Sequence, residues 1–437
     1  MRSTTRALGI FALLCTGVLQ SSACEPSPRR TAEHPELPTP PSPKGSSRTD
    51  EALAWVLDAR LSSCDWMPWF VSVVRDFDED GRDDLLLGCS NELTVSFGAA
   101  STLEPGIQLD GLDRLVYSVA SLTRGDHQAY LLGGDRTTSV LVAEAERVEG
   151  HWDTKTSLVE VDAWRDDAGE ARPGRVLVLG DEGTLREGIA YAAGPGAIVE
   201  FEWRREADQT GAVHVLRSWP VPELGEFDRL ALVDLRGDGA PSLVLLAHPK
   251  PRTNRCHLAV LEWPTRRDAG RLDLGEAREY VVPRACASVP VIGDEIGLAL
   301  HLEGDSVALL RLDDDGVDAQ IELPARRHDT LLLHDTIPLV VFAHRSQPES
   351  NRLCLEVVAR HLSAEPGGEV VSSNSVSKFL VEDGAVAEIR SLPLPEGLSL
   401  GAVAYGDFDG DGRPEALFVD QYHPQHLVSG ALRRGCE

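Results

Sequence analysis

Residues 76–84 read Asp-Phe-Asp-Glu-Asp-Gly-Arg-Asp-Asp, and residues 407–415 read Asp-Phe-Asp-Gly-Asp-Gly-Arg-Pro-Glu. A degenerate third copy, Asp-Leu-Arg-Gly-Asp-Gly-Ala-Pro-Ser, occupies 234–242. Apolar, β-type runs precede the copies (69–74, 229–233 and 400–406), and others follow them (85–88, 243–247 and 416–419). The unit is a strand, a nine-residue acidic loop and a second strand.

The spacing has a physical cause. When a chain coils tightly, carboxylates at loop positions 1, 3 and 5 converge, and hard oxygen donors suit Ca2+. Glycine at position 6 allows the sharp turn, because it takes positive φ without a Cβ clash. Position 7 offers its backbone carbonyl, and an acid at position 9 closes the shell. The first loop supplies Asp76, Asp78, Asp80, the carbonyl of Arg82, and Asp84; the last supplies Asp407, Asp409, Asp411, the carbonyl of Arg413, and Glu415. An EF-hand needs Glu at position 12 and flanking helices. That position is Leu87 in one loop and Phe418 in the other, both inside β-like runs, so the EF-hand is excluded. Two Ca2+ sites are expected here. The middle loop is a weaker candidate, with Asp234, Asp238, the carbonyl of Ala240 and Ser242, because Arg236 stands where an acid belongs. Its guanidinium is a candidate substitute for the cation.

These residues resemble the FG-GAP or VCBS repeat of integrin-α-like β-propellers. That pattern has an inner strand, a D-x-D-x-D-G-x-x-D calcium loop, and a second strand ending in Leu-Leu-Gly. Residues 76–88, ending Leu86-Leu87-Gly88, follow it throughout, and 407–419 follow it with Glu415 at position 9. The resemblance implies an inner hairpin per blade, calcium in the loops, and adhesion or carbohydrate and protein binding by one face of the propeller. Beyond these stretches it extends only as periodicity. Hairpin-like segments begin at Ser118, Arg175, Arg229, Ala287, Asp329 and Leu400, which with the first make seven units. Their spacing averages about 55 residues, against roughly 40–50 for common propeller repeats. The expected fold is all-β, a β-propeller of seven four-stranded blades, with six or eight as the alternatives. Residues 51–61, Glu-Ala-Leu-Ala-Trp-Val-Leu-Asp-Ala-Arg-Leu, are expected to supply the strand that completes the last blade. The stretch 348–395 is longer than two remaining blade strands need, and a lengthened hairpin or loop is expected there.

Composition agrees. The chain has 437 residues, few aromatics, and a net charge of −28 from 70 acidic and 42 basic side chains. That balance opposes nucleic acid or an anionic lipid surface as a partner. Helical periodicity is scarce, while short Val/Leu runs broken by Gly, Asp and Pro recur.

The N-terminus reads as a targeting segment, residues 1–23: Arg2 and Arg6 precede an apolar run from Ala7 to Leu19 that is too short to span a bilayer. Ser22-Ala23-Cys24 then resembles a bacterial lipoprotein signal, with Cys24 the lipidated residue. Ser21 departs from that pattern, in which Leu stands three residues before the cysteine. The alternative is an ordinary secretory signal cleaved near Ala23. Either reading exports a chain that is expected to be monomeric, at the cell envelope or secreted, with membrane contact only through the lipid. Residues 24–50 are rich in Pro and Ser and read as an extended tether, and 51–437 as the propeller.

Six further cysteines, Cys64, Cys89, Cys256, Cys286, Cys354 and Cys436, suit an oxidising compartment. No C-x-x-C occurs, and six cysteines allow 15 pairings. Residues 256–263 and 277–286 read as the third and fourth strands of one blade, which sets Cys256 opposite Cys286 in a hairpin centred at Arg271. For the rest, Cys64–Cys89 with Cys354–Cys436 is favoured, and a Cys64–Cys436 closure is the rival.

No G-x-S-x-G or H-E-x-x-H motif occurs. His248, His301, His334 and His344 fall near strand ends and read as structural, and Tyr422, His423 and His426 as a polar loop. Asp313-Asp314-Asp315-Gly316 has no acid at loop position 9, which is Ile321, and reads as a hairpin turn. The Arg-Gly-Asp triplets at 124–126 and 236–238 fall in expected blade turns and carry no adhesive meaning. A binding module for a protein or carbohydrate is therefore expected. A propeller enzyme, such as a polysaccharide lyase, and an envelope scaffold or assembly factor are the alternatives.

Overall fold

Period-two apolar runs bounded by turn residues dictate strands, and in the computed structural model the described residues form strands, one short 3-10 turn at Asp162–Trp164 and no α-helix. The structure describes residues 56–57 and 68–430, apart from short intervening stretches. The signal segment, the tether, Cys24, Cys64, Cys436, Asp238, Arg413, Tyr422, His423 and His426 lie outside the described residues, as do the side chains of Cys89 and Glu415. Contacts divide the chain after Glu51, and every described strand belongs to the unit Ala52–Glu437.

Among the described residues seven main sheets follow one another along the chain, six of four strands and one of five. Sheet 1 comprises Pro68–Arg75, Asp83–Cys89, Glu92–Phe97 and Glu104–Leu109, each hydrogen-bonded antiparallel to the next. Sheet 2 is Val116–Ser121, Gln128–Gly134, Ser139–Val148 and His151–Glu160. Sheet 3 is Leu177–Leu179, Ile189–Gly194, Ala197–Arg205 and Gly211–Pro220. Sheet 4 is Phe227–Val233, Ser242–Ala247, His257–Trp263 and Arg278–Pro283, with a small hairpin of Thr265–Asp268 and Arg271–Leu274 inserted before its last strand. Sheet 5 is Ala285–Val289, Leu298–Leu302, Ser306–Asp313 and Gly316–Leu323. Sheet 6 is His334–Arg345, Arg352–Ala364, Val370–Glu382 and Ala385–Pro393, with Val291–Gly293 lying parallel to its first strand as a fifth. Sheet 7 is Leu400–Gly406, Glu415–Asp420, Leu427–Gly430 and Val56–Leu57. Its outermost strand thus comes from the opposite end of the chain, Val56 opposite Ser429 and Leu57 opposite Val428.

The second strands explain the continuous apolar runs. Every residue of Ile189–Gly194 and Ser242–Ala247 is buried. Because side chains alternate across a strand, a run buried throughout needs cover on both faces. Leu243 and Leu245 pack toward sheet 3, Val244 and Leu246 toward sheet 5. Among the described residues seven buried clusters lie between sheets, each shared by two of them. Leu86 and Val95 meet Tyr130 and Leu132; Leu131 and Val142 meet Ala190 and Val199. Ile189 and Tyr191 meet Leu243 and Leu245; Val244 and Val260 meet Leu298 and Leu300. Val307 and Leu309 meet Val341 and Leu355; Phe342 and Val358 meet Ala416 and Phe418. The seventh joins sheet 7 to sheet 1, with Leu417, Val419 and Phe408 against Leu85 and Leu87.

Two local readings are corrected. The hairpin-like segment expected from Asp329 is, over its described part, one 12-residue strand, His334–Arg345, whose His334, Asp335 and Thr336 pair with Ser363, Leu362 and His361 of the next strand. Pro338, which cannot donate to a ladder, sits at the register shift of that pairing, as Pro within a sheet requires. The length of 348–395 is taken up in strands of 13, 13 and 9 residues. The second correction concerns Cys286. A disulfide joins it to Cys256, but it lies in the first strand of sheet 5, not at the end of sheet 4. His257 pairs with Pro283, and Arg284, at φ +75°, turns the chain between the two sheets. Cys354 is also disulfide-bonded. Asp313 and Gly316 close a hairpin, in agreement with a turn at 313–316.

Candidate metal centre

Each acidic loop bridges the first and second strands of its sheet, Arg75 pairing with Asp83 in one and Gly406 with Glu415 in the other. Asp76, Asp78 and Asp80 bring carboxylate oxygens within 4.8 Å of one another, and so do Asp407, Asp409 and Asp411. The two triads could hold a metal ion: oxygens on opposite sides of a Ca2+ ion lie at most about 4.6–5.2 Å apart.

The loops are built alike. The N–H of Gly81 donates to Asp76 Oδ1 at 2.9 Å, and that of Gly412 to Asp407 Oδ2 at 2.9 Å, a bond from position 6 back to position 1. Gly81 and Gly412 have φ of +87° and +81°, with open space where a Cβ would stand. Conformation, not room, selects glycine there. Asp76 itself is at φ +39°, a region that Asp tolerates better than most residues. Oδ1 of Asp407 is buried with no hydrogen-bond partner among the described residues. An all-oxygen donor set containing such an atom fits a hard cation.

Asp84 occupies a different place from the triad. Its side chain is fully buried beneath the loop, where Oδ2 accepts from the Phe77 N–H and Oδ1 from the Gly98 N–H at 2.8 Å. Burial pushes its carboxyl up to about 7, against those two amides, and the negative neighbours Asp78 and Asp80 push in the same direction. A cation in the loop would relieve that repulsion. Arg82 turns its side chain inward, Nη1 reaching Asp80 Oδ2 at 3.1 Å and the Gly98 carbonyl at 3.4 Å.

Position 2 is a feature that the acidic pattern hid. Phe77 is buried between sheets 1 and 2, its ring 5.6 Å from Tyr130 and 5.0 Å from Trp152, while Phe408 is buried between sheets 7 and 1. Each loop is thereby pinned to a gap between sheets. The Asp-Phe-Asp shared by both copies was the signal for it.

The middle loop shows what its arginine does. Arg236 donates from Nε to Glu262 Oε1 at 3.0 Å and from Nη2 to Oε2 at 2.9 Å, a two-pronged pair with a fully buried carboxylate. Ser242 and Tyr280 hydroxyls donate to the same carboxylate at 3.2 and 3.1 Å. Burial alone would raise the Glu262 pKa; the Arg236, Tyr280 and Ser242 bonds together hold it below the usual carboxylate range. Ser242 is thus engaged by Glu262. Sequence reasoning missed Glu262, and likewise the fully buried Glu200 and Glu356, which meet Arg217 at 2.6 Å and Lys378 at 2.6 Å. Each stands in an apolar strand with its basic partner on another element, so no local signal marked it. His248 lies 4.0 Å from Asp228, His301 is inside a strand of sheet 5, and His334 and His344 are inside sheet 6.

Comparison with protein-family models and with curated proteins finds no match for this chain.

Proposed function

We propose that the seven sheets are the blades of one closed β-propeller of the FG-GAP or VCBS type, and that its first and last blades each hold a Ca2+ ion. The seventh apolar gap carries this reading: Leu85 and Leu87 of sheet 1 pack against Leu417 and Val419 of sheet 7, more than 300 residues away along the chain. Radial closure of this kind is how a repeated antiparallel sheet protects its edges. Asp76, Asp78 and Asp80 would hold one ion and Asp407, Asp409 and Asp411 the other, with the carbonyls of Arg82 and Arg413 and the acid Glu415 available to complete the shells, while the Asp84 carboxylate braces its loop from below through the Phe77 and Gly98 amides. The ion supplies charge neutralisation between the two strands of an inner hairpin; the protein residues position it. In the middle loop Arg236 serves in place of an ion.

On this frame the protein is an exported binding module, anchored at the envelope through Cys24 and held off the membrane by the Pro-rich tether. It presents its loops to a protein or carbohydrate ligand. The experiment is an array of envelope polysaccharides and purified envelope proteins, probed with the mature chain in calcium and in chelator. Retention on one ligand class in calcium, lost in chelator, is expected. Cleavage of an arrayed polysaccharide in place of retention would transfer the protein to the enzyme class.

A further inference from the structure

The two acidic loops touch. The backbone N–H of Asp83 donates to the carbonyl of Asp407 at 2.9 Å, and the N–H of Asp407 donates back to Asp83 Oδ2 at 2.8 Å. Both groups of Asp407 are therefore fixed by a single residue that lies 324 positions away. The chains approach so closely here that side chains are excluded. A Cβ on Gly406 would stand 2.9 Å from Asp83 Oδ2, and one on Gly98 would stand 2.6 Å from the Asp83 carbonyl and 2.7 Å from that of Phe408. Arg82 lies against the other loop, its Cγ 3.0 Å from where a Cβ of Gly410 would be.

This seam needs a fastening. At its outer margin, sheet 7 is completed by Val56–Leu57, a strand supplied by the far end of the chain. Such a closure joins segments from the two ends of the chain, and chain ends are where fraying begins most easily.

We propose that Asp83 is the latch of the closed ring: it fastens the first sheet to the last, so that the molecule opens at this seam first and the two acidic loops become ordered together. The latch rests on the closed ring proposed above but not on calcium, since both of its hydrogen bonds are made by the chain itself. Its side-chain half needs an acceptor oxygen at the Asp83 Oδ2 position. Asp83→Asn can keep that acceptor, and Asp83→Ala removes it, while the backbone N–H of residue 83 remains in both.

The test is hydrogen exchange on the full mature chain. In Asp83→Ala, the amides of residues 400–412 are expected to exchange at least about tenfold faster than in wild type, with those of Ile189–Gly194 unchanged and Asp83→Asn close to wild type. Wild-type rates at the seam in Asp83→Ala, or acceleration spread evenly over all sheets, would overturn the latch. Should Asp83→Ala not fold, wild type in low denaturant gives the answer. Pro68–Arg75 and Leu400–Gly406 should lose protection before the strands of sheets 3 and 4, and opening that begins elsewhere refutes the proposal. An Asp407 amide that exchanges freely in wild type would sink the closed ring along with its latch. Repeating the series in chelator separates the latch from the calcium reading: a seam effect that persists in chelator supports the latch, and one that vanishes there overturns it.

Discussion

Arg236 shows how one residue changes what a loop can do. Its guanidinium pairs with a carboxylate that has no exposure to water, so removing it leaves a buried charge uncompensated. Breaking a buried pair in this way costs about 3–5 kcal/mol. We expect Arg236→Ala to lose that much in urea denaturation and Arg236→Ala with Glu262→Gln to recover part of it. The pair also sets an acid limit. Because the folded pKa of Glu262 is depressed, its contribution is present above the ordinary glutamate range and is lost as pH falls through the folded value. Acid titration of the melt should therefore be less steep in the double variant than in wild type. At this scale the sequence revealed the aspartates and the odd arginine, because carboxylates two apart before a glycine have few other uses. It concealed Glu262, Glu200 and Glu356, whose partners are set by how the strands and loops of one sheet pair.

Among elements, the inserted hairpin Thr265–Leu274 does the most outside its own sheet. Leu272 is fully buried in the gap between sheets 3 and 4, its N–H donates to the Tyr191 hydroxyl at 3.0 Å, and its carbonyl accepts from Arg217 Nη2 at 3.0 Å. Arg271 adds ion pairs at 3.4 Å to Glu200 and Glu202. Leu272→Ala should cost about 2–5 kcal/mol by cavity formation, whereas Leu158→Ala, at a position 45% exposed on an outer strand, should stay within about 0.5 kcal/mol. Denaturant midpoints of the two variants check this. Glycine in the acidic loops makes a further test: Gly412→Ala, at φ +81°, should cost roughly 1–2 kcal/mol although nothing crowds the site. The hairpins beginning at Ser118, Arg175, Arg229, Ala287 and Leu400 were legible because apolar runs flank their turns. The segment beginning at Asp329 reads as a hairpin by itself, whereas His334–Arg345 is a single strand, because a short window carries no information about the partner strand, Arg352–Ala364, that holds it extended.

For the whole molecule, stability depends on sheets that bury both faces against their neighbours. That pattern was legible as apolar runs without polar alternation, and the order of the sheets follows the order of the repeats. Which sheets meet across the last gap is a long-range fact that no short window contains. With export and anchoring as proposed, Cys24→Ser should release a soluble, still-folded protein, because Cys24 precedes the unit that contains every described strand; mass spectrometry of the mature N-terminus checks the modification. If the loops hold calcium in the folded state alone, each site adds about 2.7 kcal/mol at a hundredfold excess over Kd, and chelator should lower Tm. The most direct test of the central claim is calorimetric titration of the chelator-treated mature chain with Ca2+. Two ions bound per chain, with Asp78→Asn and Asp409→Asn each weakening one of them, is the result expected, and a titration showing no binding would contradict it.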